Sequence, residues 1–251
     1  MQDRFSGRVA IITGGGRGFG KAFGHALAAR GAVAVLADLD PAAARDAAEE
    51  IVAAGGSAEV LPCDVSDEGL VGEMMRDVAS RHGGIDILIN NAGLHSEAYS
   101  RPMETMGMQK LRQLFDVNVM GVMICSLAAK PFMTNRPGAV IINISSSAAY
   151  SGGTAYGVTK LAVQGLTMAT AREFAGAGIR VNGIAPGLIF TDTIRAELSP
   201  ESVQRVMAQQ ILPREGQEQD VVNAMLFLGS ENAKFITGET LRVTGGFALS
   251  V

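Results

Sequence analysis

Tyr156 and Lys160 stand four residues apart in a stretch of helical composition, so their side chains share one helix face. A phenol titrates near 10 and exchanges protons poorly at neutral pH. A neighbouring ammonium favours the phenolate and draws that value towards the working range, where proton exchange with an alcohol or ketone oxygen becomes efficient. Tyr-x-x-x-Lys by itself is a common surface pattern. This pair stands out because it follows the fifth of a series of strands, in a chain with only three tyrosines.

A second chemical signal is Thr13-Gly14-Gly15-Gly16-Arg17-Gly18-Phe19-Gly20, between a β-branched run and an Ala-rich stretch. Without a Cβ, glycine lets the chain turn tightly and lay backbone N–H groups against a pyrophosphate at the positive end of a helix dipole. The spacing at Gly14, Gly18 and Gly20 is Gly-x-x-x-Gly-x-Gly, not the common G-x-G-x-x-G dinucleotide fingerprint. About twenty residues further on, the second apolar run ends at Asp38-Leu39, where a carboxylate can accept hydrogen bonds from adenosine ribose hydroxyls. Asp40 is the better candidate for capping the next helix. A carboxylate at Asp38 repels a 2′-phosphate, so NAD is preferred to NADP, although Arg17 is a cation that a 2′-phosphate could use.

These residues need elements to hold them. Short apolar runs, Val9–Thr13, Val33–Ala37, Ala58–Pro62, Asp86–Asn90, Ala139–Ile144, Arg180–Ile184 and Thr240–Val243, alternate with helical stretches such as Pro41–Ala54 and Asp67–Arg81. The first six are nearly continuous in apolar character, as strands covered on both faces require. The alternation predicts a doubly wound α/β sheet of Rossmann type, and the lack of a linker or repeat predicts one domain over residues 1–251. Val117–Ala129 and Leu161–Ala171 contain no charged residue, although a helix outside a sheet should carry a solvated face. Insertions could cover them. The preferred expectation is that they pack against another copy, giving a homo-oligomer, dimer or tetramer.

Taken together, the glycine turn, Asn90-Asn91-Ala92-Gly93, the serine segment Asn143-Ile144-Ser145-Ser146-Ser147 and Tyr156/Lys160 resemble the short-chain dehydrogenase/reductase family over nearly the whole chain. The resemblance implies a seven-stranded parallel sheet with three helices on each face. It also implies nicotinamide-cofactor contacts from Gly14, Arg17, Gly18, Phe19, Gly20, Asp38 and Leu39. Further contacts would come from Asp64 and Val65 beside the adenine, from Asn91, Ala92 and Gly93 along the groove, and from Pro186, Gly187, Ile189 and Thr191 around the nicotinamide, with Tyr156 and Lys160 at the ribose. Aligning Asn-x-Ser-Ser places the family's catalytic serine on Ser146, where it would stabilise developing charge on the substrate oxygen. The chain from Ser147 to Ala155 is shorter than the family's usual dozen residues, which leaves Ser147 as the alternative. Asn118 matches a helix-embedded asparagine whose implied role is to hold a water linking Lys160 to solvent; a buried asparagine bonded to its own helix is the plainer reading.

Composition excludes several classes. At 251 residues, 47% hydrophobic and 18% charged, the chain can bury a substantial core, so disorder is out. A net charge of −4 with basic residues scattered singly argues against nucleic acid. Two cysteines make no disulfide framework, no apolar run approaches the roughly 18 residues that span a bilayer, and Met1–Arg8 carries Asp3 where a signal peptide would be cationic. A cytoplasmic protein with no membrane partner and no metal is expected. Its activity would be reversible hydride transfer between NAD and a secondary alcohol or ketone. The rivals are an NADPH-dependent carbonyl or 3-oxoacyl-thioester reductase and a non-catalytic nucleotide-binding protein. Phe190–Leu212 should form a lid over a mainly apolar pocket lined by Ser146, Leu94, His95, Tyr150 and Phe190, while the particular substrate is not legible.

Overall fold

The computed structural model describes residues 5–95, 97–99, 101–151, 153–190 and 200–247. Seven strands form one parallel sheet in the order β3-β2-β1-β4-β5-β6-β7. They are β1 (Val9–Thr13), β2 (Val33–Asp38), β3 (Ser57–Pro62), β4 (Ile87–Asn90), β5 (Val140–Ile144), β6 (Arg180–Pro186) and β7 (Thr240–Val243). Every residue of β1, β4 and β5 is buried, which is why these runs are apolar except for Thr13, Asn90 and Asn143. β2 and β6 run past their apolar cores to Asp38 and Pro186, carrying functional candidates on strand ends.

Helices cover both faces. On one side α1 (Gly18–Ala28), α2 (Pro41–Ala53) and the late helix Glu218–Gly229 enclose Phe23, Leu27, Ile51, Val221 and Met225. On the other, α3 (Glu68–His82), a helix ending at Met133 and the helix beginning at Ala155 enclose Val71, Met75, Cys125, Met133 and Phe174. The helices that follow in sequence are α4 (Met103–Met106), α5 (Met108–Phe115), α6 (Gly121–Met133), α7 (Ala148–Ser151), α8 (Ala155–Phe174), α9 (Pro200–Met207) and α10 (Glu218–Gly229). The described part of the expected lid therefore carries one short helix, α9.

Asp116–Met120 forms a π-helical turn that joins α5 to α6 in one continuous helix, Met108–Met133. Its most apolar window has a mean hydropathy of 1.3, long and apolar enough by length and composition alone to cross a membrane, a test that the core helix of a globular fold also passes. In the fold Cys125, Ala129 and Met133 of this helix lie fully buried against the sheet. Its outer face and that of α8 leave Leu127, Leu161 and Met168 about half exposed, so the charge-free stretches Val117–Ala129 and Leu161–Ala171 present apolar side chains to the surface.

At the opposite end from the site, Asp86 is buried between β1 and β5. It accepts the Val9 N–H at 2.8 Å and the Arg136 guanidinium at 2.8 and 3.1 Å. Removing one partner of such a pair strands the other in a poor solvent. Asp86→Ala should cost about 3 kcal/mol in urea unfolding, and a loss below 1 kcal/mol would show that the pair does not hold this end of the sheet.

Candidate active site

Strand order reverses between β1 and β4, which run parallel, so a crevice opens at their carboxyl ends. The glycine turn lies there. Gly14 has φ +63°, and a Cβ on it would sit 3.0 Å from Ala92 Cα; a Cβ on Gly20 would sit 1.9 Å from the Gly14 carbonyl oxygen. Gly15 and Gly16, which the sequence reading did not single out, are equally constrained, because a Cβ on either would meet Leu36 or Ala44 at 2.9 Å. No side chain caps the first turn of α1, leaving its N–H groups open to an anion.

Asp38 accepts hydrogen bonds from the N–H groups of Gly16, at 2.8 Å, and Asp40, at 2.9 Å. Asp40 caps α2 through Ala42 and Ala43 and also holds Arg17 at 2.6 Å. Asp38 is thus not the helix cap, and Arg17 has a carboxylate partner. Both residues border a groove of about 870 Å³ with Leu39, Asp40, Asp64, Val65, Leu94 and Asp116. Cys63 lies in its wall, and burial pushes its thiol up to about 11, which leaves it unreactive at neutral pH.

Asn91 works as a brace. Its side-chain N–H donates to the carbonyls of Thr13 and Gly14, both at 3.0 Å, while Thr13 Oγ1 accepts from the N–H groups of Asn91 and Ala92. Thr13 was missed because an isolated threonine at a strand end carries no distinguishing spacing.

The groove continues into a cavity of about 540 Å³ where Gly14, Gly18, Phe19, Asn91, Ala92, Gly93, Pro186, Gly187 and Ile189 meet Ser146, Tyr156, Lys160 and His95. Ile144 and Leu188 also line it, apolar residues that no pattern had marked. Ser146 and Tyr156 line this cavity together, and Ser146 pulls the phenol's pKa downward. Ser147 instead donates its N–H to Pro186 and does not line the cavity, so the short loop, one turn of helix at α7, leaves Ser146 facing the tyrosine.

Lys160 is buried. Its Nζ donates to the Ile144 carbonyl at 2.8 Å and lies 5.7 Å from the centre of the Tyr156 ring. Burial brings the ammonium down to about 8. Tyr156 is raised above its ordinary value because burial outweighs the downward pull of Ser146. The expectation that Lys160 draws the phenol down is corrected here: the ammonium is bonded to a carbonyl and set against the ring, while desolvation penalises both ions.

The side chain of Asn118, in the π-turn, is held by protein partners. Its Oδ1 accepts the Leu94 N–H at 2.7 Å, and its Nδ2 donates to the Leu94 carbonyl at 3.0 Å and to Thr159 Oγ1 at 3.2 Å. Two pocket expectations also fail. The Tyr150 ring sits under the Arg242 guanidinium, 5.1 Å from its centre, drawn away from the cavity by that cation. Phe190 donates its N–H to Gly216 at 3.0 Å and borders a different cavity, between α1 and α10, because this backbone bond turns it outward. Thr191 lies outside the described residues. Among the described residues, no cluster of His, Cys, Asp and Glu fits a metal ion.

A parallel sheet with an uncapped, glycine-lined helix start at its switch point defines a nucleotide-binding protein of the Rossmann type. The family model described as Enoyl-(Acyl carrier protein) reductase matches residues 14–248. The 7alpha-hydroxysteroid dehydrogenase of Escherichia coli is 36% identical over 246 residues, 97% of this chain and 95% of its own. The 3-oxoacyl-[acyl-carrier-protein] reductase of Staphylococcus aureus is 37% identical over 243 residues, 95% of this chain and 97% of its own. A solved structure of 7 alpha-hydroxysteroid dehydrogenase complexed with NADH and 7-oxo glycochenodeoxycholic acid has a TM-score of 0.91 at 35% identity, covering 98% of this chain and 96% of that one. The chain belongs to the short-chain dehydrogenase/reductase family and is an oxidoreductase.

The lowered Lys160 value has a consequence for stability. Its folded pKa of about 8 lies below its ordinary 10.5, so between those values the unfolded chain binds the extra proton. The contribution of this group to stability therefore rises with pH across that window. Relative to Lys160→Met, the wild-type protein should gain about 2 kcal/mol between pH 7.5 and 9.5 in chemical denaturation. An unchanged difference would mean that Lys160 is not buried as a cation.

Proposed function

We propose that the protein catalyses reversible hydride transfer between NAD and a secondary alcohol or ketone. The observation that carries this reading is the Tyr156 phenol, sharing one cavity with Ser146 and set against Lys160, at the end of a groove that runs back to Asp38. In the oxidative direction Tyr156 takes the hydroxyl proton, while the Ser146 hydroxyl orients the substrate oxygen and steadies its developing charge. Lys160 braces the tyrosine and the ribose. The nicotinamide, when bound, supplies the hydride acceptor. Asn118 acts by holding the loop at Leu94.

For the cofactor, Asp38, Asp40, Asp64 and Asp116 all border the adenosine end, and Arg17 is partnered by Asp40. A 2′-phosphate would meet this negative field. A preference of about 1.4 kcal/mol is a tenfold difference in affinity. NAD+ should bind at least tenfold more tightly than NADP+ by calorimetry, and Asp38→Ala should narrow the gap. Tighter NADP+ binding would favour the second reading, an NADPH-dependent carbonyl or 3-oxoacyl-thioester reductase. The exposed Arg17 guanidinium in the glycine turn and the staphylococcal relative speak for that alternative.

The half-exposed apolar faces of α6 and α8 support a homo-oligomer, which light scattering would detect, and a cytoplasmic setting remains our reading. Tyr156→Phe should lower turnover about 10³-fold against a panel of secondary alcohols and ketones followed by NADH absorbance, with NAD+ affinity within about twofold of wild type. Retained activity in that variant would refute proton transfer by Tyr156.

A further inference from the structure

We propose that Thr159 is a positioning residue for Tyr156, the side chain through which Asn118 and the loop after β4 set the first turn of α8. The proposal rests on Tyr156 as the proton-transfer group. Thr159 and Asn118 are both fully buried. Thr159 Oγ1 accepts from Asn118 Nδ2 at 3.2 Å and donates to the carbonyl of Tyr156 at 2.7 Å. Asn118 meanwhile grips the N–H and the carbonyl of Leu94, next to His95 in the cavity wall. One chain of hydrogen bonds therefore runs from the substrate side of the cavity, through the π-turn, to the backbone of the tyrosine.

An ordinary threonine inside a helix bonds back to its own preceding turn, and α8 supplies two for comparison. Thr167 and Thr170 donate to the carbonyls four residues earlier, Val163 and Leu166. Thr170 also reaches three residues back, to Thr167 at 3.5 Å, whereas Thr159 bonds three back to Tyr156 itself and is the one of the three held by the π-turn. A β-branched side chain has few rotamers, so a hydroxyl held at both ends fixes the backbone it touches more tightly than a serine on a free helix face would. The polar groups facing the phenol are Ser146 from the end of β5, Lys160 from α8 and His95 from the loop after β4. Ser146 opposes the upward pull of burial on the phenol, so a small shift of Tyr156 away from it raises the phenol further.

The test compares Thr159→Val and Thr159→Ser with Thr167→Val. Thr167 offers a matched buried control, since its hydroxyl accepts from Asn143 at 2.9 Å and is remote from the cavity. Tyr156 ionisation is read from phenolate absorbance, subtracting a Tyr156→Phe blank, and needs no substrate. Thr159→Val should raise the phenol midpoint by at least about half a unit, and should lower kcat about tenfold on any alcohol that the wild type oxidises, with NAD+ affinity within about twofold. Thr159→Ser should restore both, and Thr167→Val should move neither. A Thr159→Val phenol midpoint equal to that of Thr167→Val overturns the proposal, as does a serine variant no better than the valine one. If Thr159→Val does not fold, Thr159→Ala takes its place under the same criteria. Activity retained in Tyr156→Phe would instead sink the proton-transfer reading, a distinct outcome.

Discussion

A parallel sheet buried on both faces leaves only its strand ends free, and the rest of this molecule follows from that constraint. Side chains within β1, β4 and β5 are committed to packing, so chemistry is confined to where strands stop. Crossovers leave β1 and β4 for opposite faces, and the gap between their carboxyl ends is the one place where a ligand can approach several loops at once. The groove and the cavity both open there. Thr13 and Asn91 stitch the two sides of this gap with hydrogen bonds that need no ligand, so the cradle is set before anything binds.

Burial then shapes the chemistry. Lys160 carries its ammonium in a poorly solvated position with one carbonyl as partner, and Tyr156 is held above its ordinary pKa in the same surroundings. Each ion is costly alone, and neither can be moved into water without opening the helix that carries both. The site therefore depends on rigid placement. The π-turn provides part of it: the extra residue in that turn lets Asn118 reach Leu94 and Thr159 together, which a regular α-helix would not align.

The adenosine end is governed by longer-ranged electrostatics. Arg17 and Asp40 neutralise one another at the surface, leaving Asp38, two of whose acceptor positions are already used by backbone N–H groups. The outer faces of α6 and α8 differ in kind, leaving Leu127, Leu161 and Met168 about half exposed.

Local sequence determined the elements. Short apolar runs marked all seven strands to within two residues, most plainly in β1, β4 and β5, because a strand buried on both faces has little freedom to be polar. It also marked the glycine turn, Asp38, and the Tyr156–Lys160 pair, whose four-residue spacing is a property of any helix. The serine segment pointed to Ser146 but left Ser147 open, since the choice depends on how a short loop folds over the end of β5, and the fold brings Ser146 and not Ser147 into the cavity. Tyr150 and Phe190 were misplaced for a similar reason: an aromatic residue beside an active-site loop has no pattern that reveals whether a distant Arg242 or Gly216 will claim it. The direction of the Tyr156 shift was misread too, because adjacency in sequence reports a neighbouring charge but not the loss of water around it. Composition and spacing reside in the chain itself, whereas desolvation and long-range hydrogen bonds exist only once remote segments have met.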